Sequence, residues 1–487
     1  MRNLSYSVSG PTVKRSYRRF IVGLIALAVL NSCGVYKKYQ SQSEAPKDLF
    51  GQNLTAEGDL TGETGLTAEG DHTSIACISW REFFTDPLLQ DLIDSALVRN
   101  TDMQSARIAV EQAQASLKAA KLAYLPSLSL APQGNVSTTM LGASGSGTGL
   151  GYSYSVPLQL DWNIGISGSP TVNKRKAKAV LAQAEASADA TKANLIATVV
   201  EQYFQLLLLD KELEILLKTD SLWDESLETE RAFWENGKAY STAVNQMESS
   251  NLSVKMQIID TRRSIRSAEN TMCKLLRITP QPIARNTWGA YALPERFETG
   301  VPAVLLENRP DIKAADQALA EAFYNTASAR AAFYPSFNLM GLIGWTNNGG
   351  VIADPGALLL QAAASLTQPI FQAGKLSAQL KIAKLNQQDQ LNQYVQTVIN
   401  AGDQVSECLA DCQTARDKDA LFKRQVKVLQ DAYDGTHELM NNGKASYIEV
   451  LTAQESLLSA QLNEAENLYN GAIGLISLYI ALGGASK

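Results

Sequence analysis

Over residues 152–163 apolar and polar side chains alternate without interruption. Tyr152, Tyr154, Val156, Leu158, Leu160 and Trp162 take one parity; Ser153, Ser155, Pro157, Gln159, Asp161 and Asn163 take the other. Strict period two predicts a strand with one apolar face. An apolar row with aromatics at both ends is what a transmembrane β-strand needs, with lipid outside and water inside. A half-buried strand of a soluble protein alternates as well, and Pro157 counts against a central place in a sheet. Phe337, Leu339, Ile343 and Trp345 share one parity in a second such segment, with Gly341 between them, and a returning strand near 358–370 alternates less cleanly. The connections 141–151 and 347–356 are rich in Gly and Ser, as exposed loops are.

Helical patterning takes up most of the remaining chain. Residues 102–124 are rich in Ala, Gln and Glu, strong helix formers. Pro126, and Pro335 in the matching stretch, end such helices, because the residue before a proline is driven out of the helical region. From 171 to 235 there is neither proline nor glycine; the same holds for 375–400 and, past Gly402 and Gly435, on to Gly443. At 1.5 Å per residue, ~65 residues reach on the order of 100 Å. Helices of that length need side-by-side partners to bury their apolar stripes. Asn236-Gly237 and Asn442-Gly443 then reverse the chain into helices over 242–276 and 447–482, glycine suiting the left-handed helix end.

The chain is a duplicate. At an offset of 209, Leu97 matches Leu306, Asp102 matches Asp311, Ala120 matches Ala329 and Pro126 matches Pro335. Farther on, at 206, Leu160 matches Leu366, Gly168 matches Gly374, Glu201 matches Glu407 and the run "NGKA" at 236–239 returns at 442–445. One copy offers two strands and a long helical hairpin, so the chain offers four strands. Four strands cannot cross a membrane alone, since their edges leave backbone groups unpaired in lipid. Two chains would supply eight strands and three would supply twelve; the pattern does not choose between them.

Composition narrows the class. The net charge is −6, and without the five bases of the first 32 residues it falls to −11, which argues against nucleic acid as a partner. With two histidines and no HExxH, GxSxG or Walker loop, no catalytic residue, metal site or cofactor is expected. A basic stretch at 14–19, an apolar run at 20–30 and the sequence Leu30-Asn31-Ser32-Cys33 form an export signal too short to span a bilayer. Residues 30–33 resemble a bacterial lipobox, on which reading residues 1–32 are removed and Cys33 is acylated; the alternative is a small-x-small cleavage site beside an incidental Cys33. Residues 33–78, with "LTAEGD" occurring twice, read as a polar linker, followed by a first repeat over 79–300 and a second over 301–487. Cys408 and Cys412 lie one helical turn apart, without nearby partner ligands, and read as small buried residues. Lys174, Arg175, Lys176 and Lys178 follow the first strand pair. They suit either lipid phosphates or a solvated helix start that the helix dipole does not favour.

Several stretches together resemble the TolC-like outer-membrane factor family, and within it the lipoprotein efflux members. They are "WREFFTDPLLQDLIDSALVRNTDMQSA" at 80–106, "NRPDIKAADQALAEAFYNTASARAAFYPSFNL" at 308–339, "TQPIFQAGKL" at 367–376 and the two "NGKA" turns. The resemblance implies a mainly α fold with a transmembrane β-barrel. A homotrimer would share a 12-stranded barrel in the outer membrane and a 12-helix periplasmic tunnel. It implies a periplasmic adaptor (membrane fusion) protein and an inner-membrane transporter as partners, and export of small toxic compounds without chemical change. It also implies that Asn236, Gly237, Lys238, Asn442, Gly443 and Lys444 form the tip where the adaptor docks. Glu449 falls near an acidic position of the family pattern: three copies would form a carboxylate ring gating the channel, against the plainer reading of a water-facing helical residue. Ala445 and Thr452 stand where some relatives carry Arg and Asp, so no Arg–Asp lock is expected. A duct for secreted proteins and a structural periplasmic coiled-coil lipoprotein are the other readings.

Overall fold

The computed structural model describes residues 37–41, 78–139, 149–288, 308–347 and 357–484. The expected signal sequence 1–32, Cys33, most of the linker including Cys77, and most of both Gly-rich connections lie outside the described residues. In chain order the elements are α1 Trp80–Phe83, α2 Pro87–Arg99, α3 Thr101–Leu122, β1 Ser127–Leu130, β2 Gln133–Thr139, β3 Gly149–Asn163, α4 Ser169–Glu235 and α5 Ser241–Leu275. They continue with α6 Pro310–Ala331, β4 Ser336–Thr346, β5 Ala357–Thr367, α7 Lys375–Asn441 and α8 Tyr447–Ala481.

The duplication survives in the elements. α3 and α6 have 22 residues each, α4 and α7 have 67, and α5 and α8 have 35. Their starts fall at the two offsets read from the residues, 209 for the first pair and 206 for the others. α7 runs unbroken through Gly402 and Gly435. Glycine in a helix interior costs about 1 kcal/mol relative to alanine, a small loss in a helix of this length.

The chain divides into two compact units, each taking parts of both repeats. Among the described residues, the first comprises 37–41, 111–139, 149–183, 315–347 and 357–394; the second comprises 78–110, 184–288, 308–314 and 395–484. The first unit holds the sheet, whose order is β1-β3-β4-β5 with β2 also paired to β3, all antiparallel. Its helices bury small residues against one another (Ala179, Ala320, Ala327 and Ala331, with Val172 and Tyr324), so their backbones approach closely. Tyr39, from the short described stretch 37–41, packs on this cluster beside Phe323.

In the second unit a larger core gathers Phe84, Ile93, Ile196, Val200, Met272 and Ile476. Phe83 stacks on Tyr479 with ring centroids 4.2 Å apart. Asp86 caps α2 by accepting from the Leu88 amide at 3.0 Å, with Pro87 in the first turn. It also accepts from the Tyr203 hydroxyl and from Asn286 Nδ2. The repeat symmetry reaches single side chains here. Asn100 Nδ2 donates to the Leu275 carbonyl at the end of α5, 3.1 Å away. Arg309, 209 positions later, donates through Nη1 to the Ala481 carbonyl at the end of α8, 2.8 Å away. Each ties the end of one hairpin to the helix that opens its own repeat, satisfying a carbonyl the helix leaves open.

Candidate channel elements

The first element is the sheet. Antiparallel partners lie on the same face, so the register sorts side chains directly. One face carries the rows Leu128–Leu160–Gly341–Ala362, Leu130–Leu158–Ile343–Leu360 and Val156–Trp345–Leu358. The other carries Ser129–Gln159–Leu342–Gln361 and Ser155–Thr346, and Asp161 is the one charged residue in the described strands. The apolar face is open: Leu130 is 62% exposed, Trp345 57% and Leu360 76%. Among the described residues β5 and the β1/β2 strand pair on one side only.

The strands depart from the sequence reading at two neighbouring places. The first outgoing strand is split into β1 and β2 at Ala131-Pro132, and Pro157 occupies a central strand after all. β1 and β2 keep a single register against β3, so they fill one strand position, and the sheet is four strands wide. The interruption lies across from Pro157, whose carbonyl still accepts from the Ala131 amide at 3.1 Å. On its other side Pro157 faces Gly344; a Cβ there would collide with the Val156 carbonyl and the Pro157 backbone. Pro132 itself lacks a ladder donor at the break, and Pro157 is accommodated on its other flank by the missing side chain of Gly344. The returning strand ends at Thr367, short of the expected 370.

All the helices attached to the strands leave from the end where Asn163, Asn338 and Ser365 are paired. Trp162 Nε1 donates to the Tyr124 carbonyl (3.0 Å) and the Tyr124 hydroxyl to Thr171 Oγ1 (3.1 Å), joining the sheet end to α4.

The second element is the pair of helical turns, both in the second unit. Gly237 and Gly443 have φ of 73° and 71°, and at both the same two bonds close the helix. Gly237 N donates to the Trp234 carbonyl (2.9 Å) and Lys238 N to that of Phe233 (2.8 Å). Gly443 N donates to Met440 (2.8 Å) and Lys444 N to Leu439 (2.8 Å). Asn236 and Asn442 turn their side-chain amides back to the Ala232 and Glu438 carbonyls. This left-handed cap satisfies the carbonyls that a helix end leaves open. Asn236, Gly237, Lys238, Asn442, Gly443 and Lys444 are all exposed.

Beneath the turns, Leu227, Val244 and Met247 form one cluster and Tyr433, Met440, Val450 and Leu457 another, and Tyr447 packs against both. Gln454 Nε2 is buried between Ser226 Oγ (3.2 Å) and Tyr433 Oη (3.5 Å). Glu449 is exposed in the first turn of α8, where the helix dipole favours an anion. Thr452 donates to the Ile448 carbonyl of its own helix and Ala445 packs into the Tyr433 cluster, so neither holds the other.

Sequence reading missed Glu230, near the first turn. It is buried, and desolvation holds its carboxyl above the usual range. No period marks it, because one glutamate among Asp224, Glu225, Glu228 and Glu235 gives no signal that it alone faces inward. The ion pair of Arg285 with Asp210 (2.9 Å through Nη2) and Glu269 (2.8 Å) was also unread, its partners lying 75 and 16 positions away. The three described cysteines are free, and burial pushes the Cys408 and Cys412 thiols up to about 11. No group of residues able to hold a metal occurs among the described residues, and no described helix is long and apolar enough to cross a membrane.

Known proteins share this architecture. The model of the outer membrane efflux protein family matches residues 92–276 and 301–484, one block in each half of the chain. The cation efflux system protein CusC of Escherichia coli O6:H1 is 27% identical over 464 residues, covering 94% of this chain and 97% of that protein. The probable outer membrane lipoprotein SilC of Salmonella typhimurium is 26% identical, covering 83% of this chain and 87% of its own length. A crystal structure of CusC, described by its conformational changes on folding and transmembrane channel formation, superposes with a TM-score of 0.80 at 25% identity, covering 92% of this chain and 99% of that one. With the duplicated strands and helical hairpins in place and the family matching both halves, this chain belongs to the outer membrane efflux protein family.

Proposed function

We propose that three copies of this chain close one 12-stranded barrel in the outer membrane and continue as a 12-helix periplasmic tunnel. This would be the exit duct of a tripartite pump. The observation that carries the reading is the sheet itself. It has an open apolar face, an opposite face that mixes Ser, Gln and Asp with Met340, Leu342 and Leu359, and an edge at either side without a strand partner among the described residues. A sheet in lipid must close, because water is not there to satisfy its edges. Closure by sister chains serves both requirements at once.

On this reading residues 1–32 are removed, Cys33 is acylated and 33–78 link the anchor to the two repeats, 79–300 and 301–487. A relative named as a probable outer membrane lipoprotein supports the anchor. The exposed turns at Asn236–Lys238 and Asn442–Lys444 would receive a periplasmic adaptor, which connects the duct to an inner-membrane transporter. Small toxic compounds would pass unchanged. Relatives named for cation efflux support export as the task, and no chemical step is assigned to the chain. Glu449 from three chains would form a carboxylate ring near the closed end. Like charges that close oppose tight closure and favour cations. In planar bilayers Glu449→Gln is expected to lower cation over anion selectivity, and unchanged selectivity would leave Glu449 a surface residue.

The functional test is deletion in a strain without a second copy of the same type. Sensitivity to several unrelated toxic compounds should rise and return to normal on complementation. Unaltered tolerance of every compound would overturn the export reading.

A further inference from the structure

Charge is divided unequally between the two units. Described residues of the first unit hold twelve bases and five acids, although the whole chain is acidic at −6. Those of the second unit hold twenty-three bases and thirty-three acids. None of the first unit's twelve bases lies in a strand. Their densest group is Lys174, Arg175, Lys176 and Lys178, within the first ten residues of α4 and just past the sheet end. Cations there oppose the helix dipole, so helix stability does not account for them. The first ten residues of α7 hold three bases, Lys375, Lys381 and Lys384, with Leu380 and Ile382 at the positions matching Lys174 and Lys176.

What distinguishes the α4 start is the segment docked on it. Tyr39 Oη and Ser41 Oγ both donate to Asp316 Oδ1, at 2.7 and 2.8 Å, and Asp316 is 8% exposed. The Tyr39 ring packs on Phe323, and burial and the Asp316 bond hold its phenol well above the usual range. Arg175 Nη1 donates to the Lys37 carbonyl at 3.3 Å, which sets Lys37 and Lys38 beside the α4 bases. Lys37, Lys38, Lys174 and Lys178 are exposed, while Lys176 is partly engaged by Glu321 at 3.6 Å. Lys37 is four positions after Cys33, a tether of at most ~14 Å.

We propose that Lys37, Lys38, Lys174, Arg175 and Lys178 form a binding surface for the phosphates of anionic glycerophospholipid headgroups, held together by the Tyr39–Asp316 clasp. The inference rests on the reading that the sheet spans the outer membrane, which places its helical end at the headgroups of the inner leaflet. Charge complementarity selects the occupant: a cluster of bases at the edge of an apolar sheet face meets phosphate there. A single acyl chain anchors weakly, and a basic patch is the second signal that makes anchoring stable. Each lysine near an anionic surface adds about fivefold in affinity.

The test is native mass spectrometry of the full-length protein in detergent, titrated separately with phosphatidylglycerol, phosphatidylcholine and lipopolysaccharide. Wild type should retain phosphatidylglycerol at least about fivefold over phosphatidylcholine at low salt, and the preference should shrink near 1 M NaCl, where the screening length is about 3 Å. The variant Lys37→Gln/Lys38→Gln/Lys174→Gln/Lys178→Gln should lose the preference, and the same four changed to Arg should keep it. Equal retention of both lipids by wild type, an unaltered preference in the Gln variant, or tighter retention of lipopolysaccharide would each overturn the site. If wild type forms membrane-inserted oligomers yet shows no preference, the site fails and the channel reading stands. If it forms none, the channel reading fails with it.

Discussion

At the scale of single residues, two glycines act in opposite ways. Gly443 has open space around its α-carbon and is required by its φ of 71°. Gly344 is required by crowding: the Pro157 backbone occupies the place a side chain would take. Gly344→Ala should therefore shift β4 from β3 and cost on the order of 1–3 kcal/mol, the range of overpacking. The expected outcome is a lower yield of heat-modifiable oligomer on gels, while Gly134→Ala, with nothing within 4 Å, should leave the yield unchanged. Glu230 makes a prediction in pH. A carboxyl with a folded pKa above its unfolded value holds its proton more tightly when folded. Stability present below the ordinary carboxyl pKa of about 4.3 is then lost as pH rises toward and through the raised value. Glu230→Gln should match wild type in thermal midpoint near pH 4 and exceed it at pH 8. A midpoint difference that does not vary with pH would refute buried ionisation as its cause.

At the scale of elements, most of the fold was legible in the sequence because long elements carry many repeats of their signal. The glycine- and proline-free run from 171 predicted a helix that the structure bounds at Ser169–Glu235, and period two over 152–163 placed β3 to within a few residues. The break at Ala131-Pro132 was not legible. It falls at Pro132, which cannot donate to the ladder, and a single proline does not tell from the sequence whether a strand ends there or resumes in the same register, as β2 does against β3. The turn glycines were legible from their spacing, whereas the Tyr39–Asp316 clasp joins residues 277 apart and left no local trace. α7 also carries a removable weakness. Gly435 sits in the helix interior with nothing within 4 Å of an added Cβ. Gly435→Ala should stabilise by about 0.5–1 kcal/mol through backbone entropy, read as a higher midpoint in thermal melts followed by circular dichroism. A lower midpoint would show that this face of α7 is covered in the assembled protein.

At the scale of the whole molecule, the two faces of the sheet make the most discriminating claim, because adjacent residues of β5 are assigned opposite solvents. Leu360 lies in the apolar row with Leu130, Leu158 and Ile343, and its neighbour Gln361 lies on the opposite face in the row of Ser129, Gln159 and Leu342. Both are near the middle of their strand, so their depths in a bilayer would be similar. A lysine on the lipid face near the midplane costs about 2–4 kcal/mol, and on the water face it costs little. In a closed trimer the lipid-face substitution occurs three times, so its cost is felt in assembly. Leu360→Lys should sharply reduce the oligomer recovered from the outer membrane, while Gln361→Lys should assemble normally and shift conductance toward anions. In a soluble sheet Leu360, 76% exposed, would accept lysine readily and both variants would behave alike. Equal recovery of the two from the membrane would therefore remove the physical ground for a barrel, whatever the similarity to known channels.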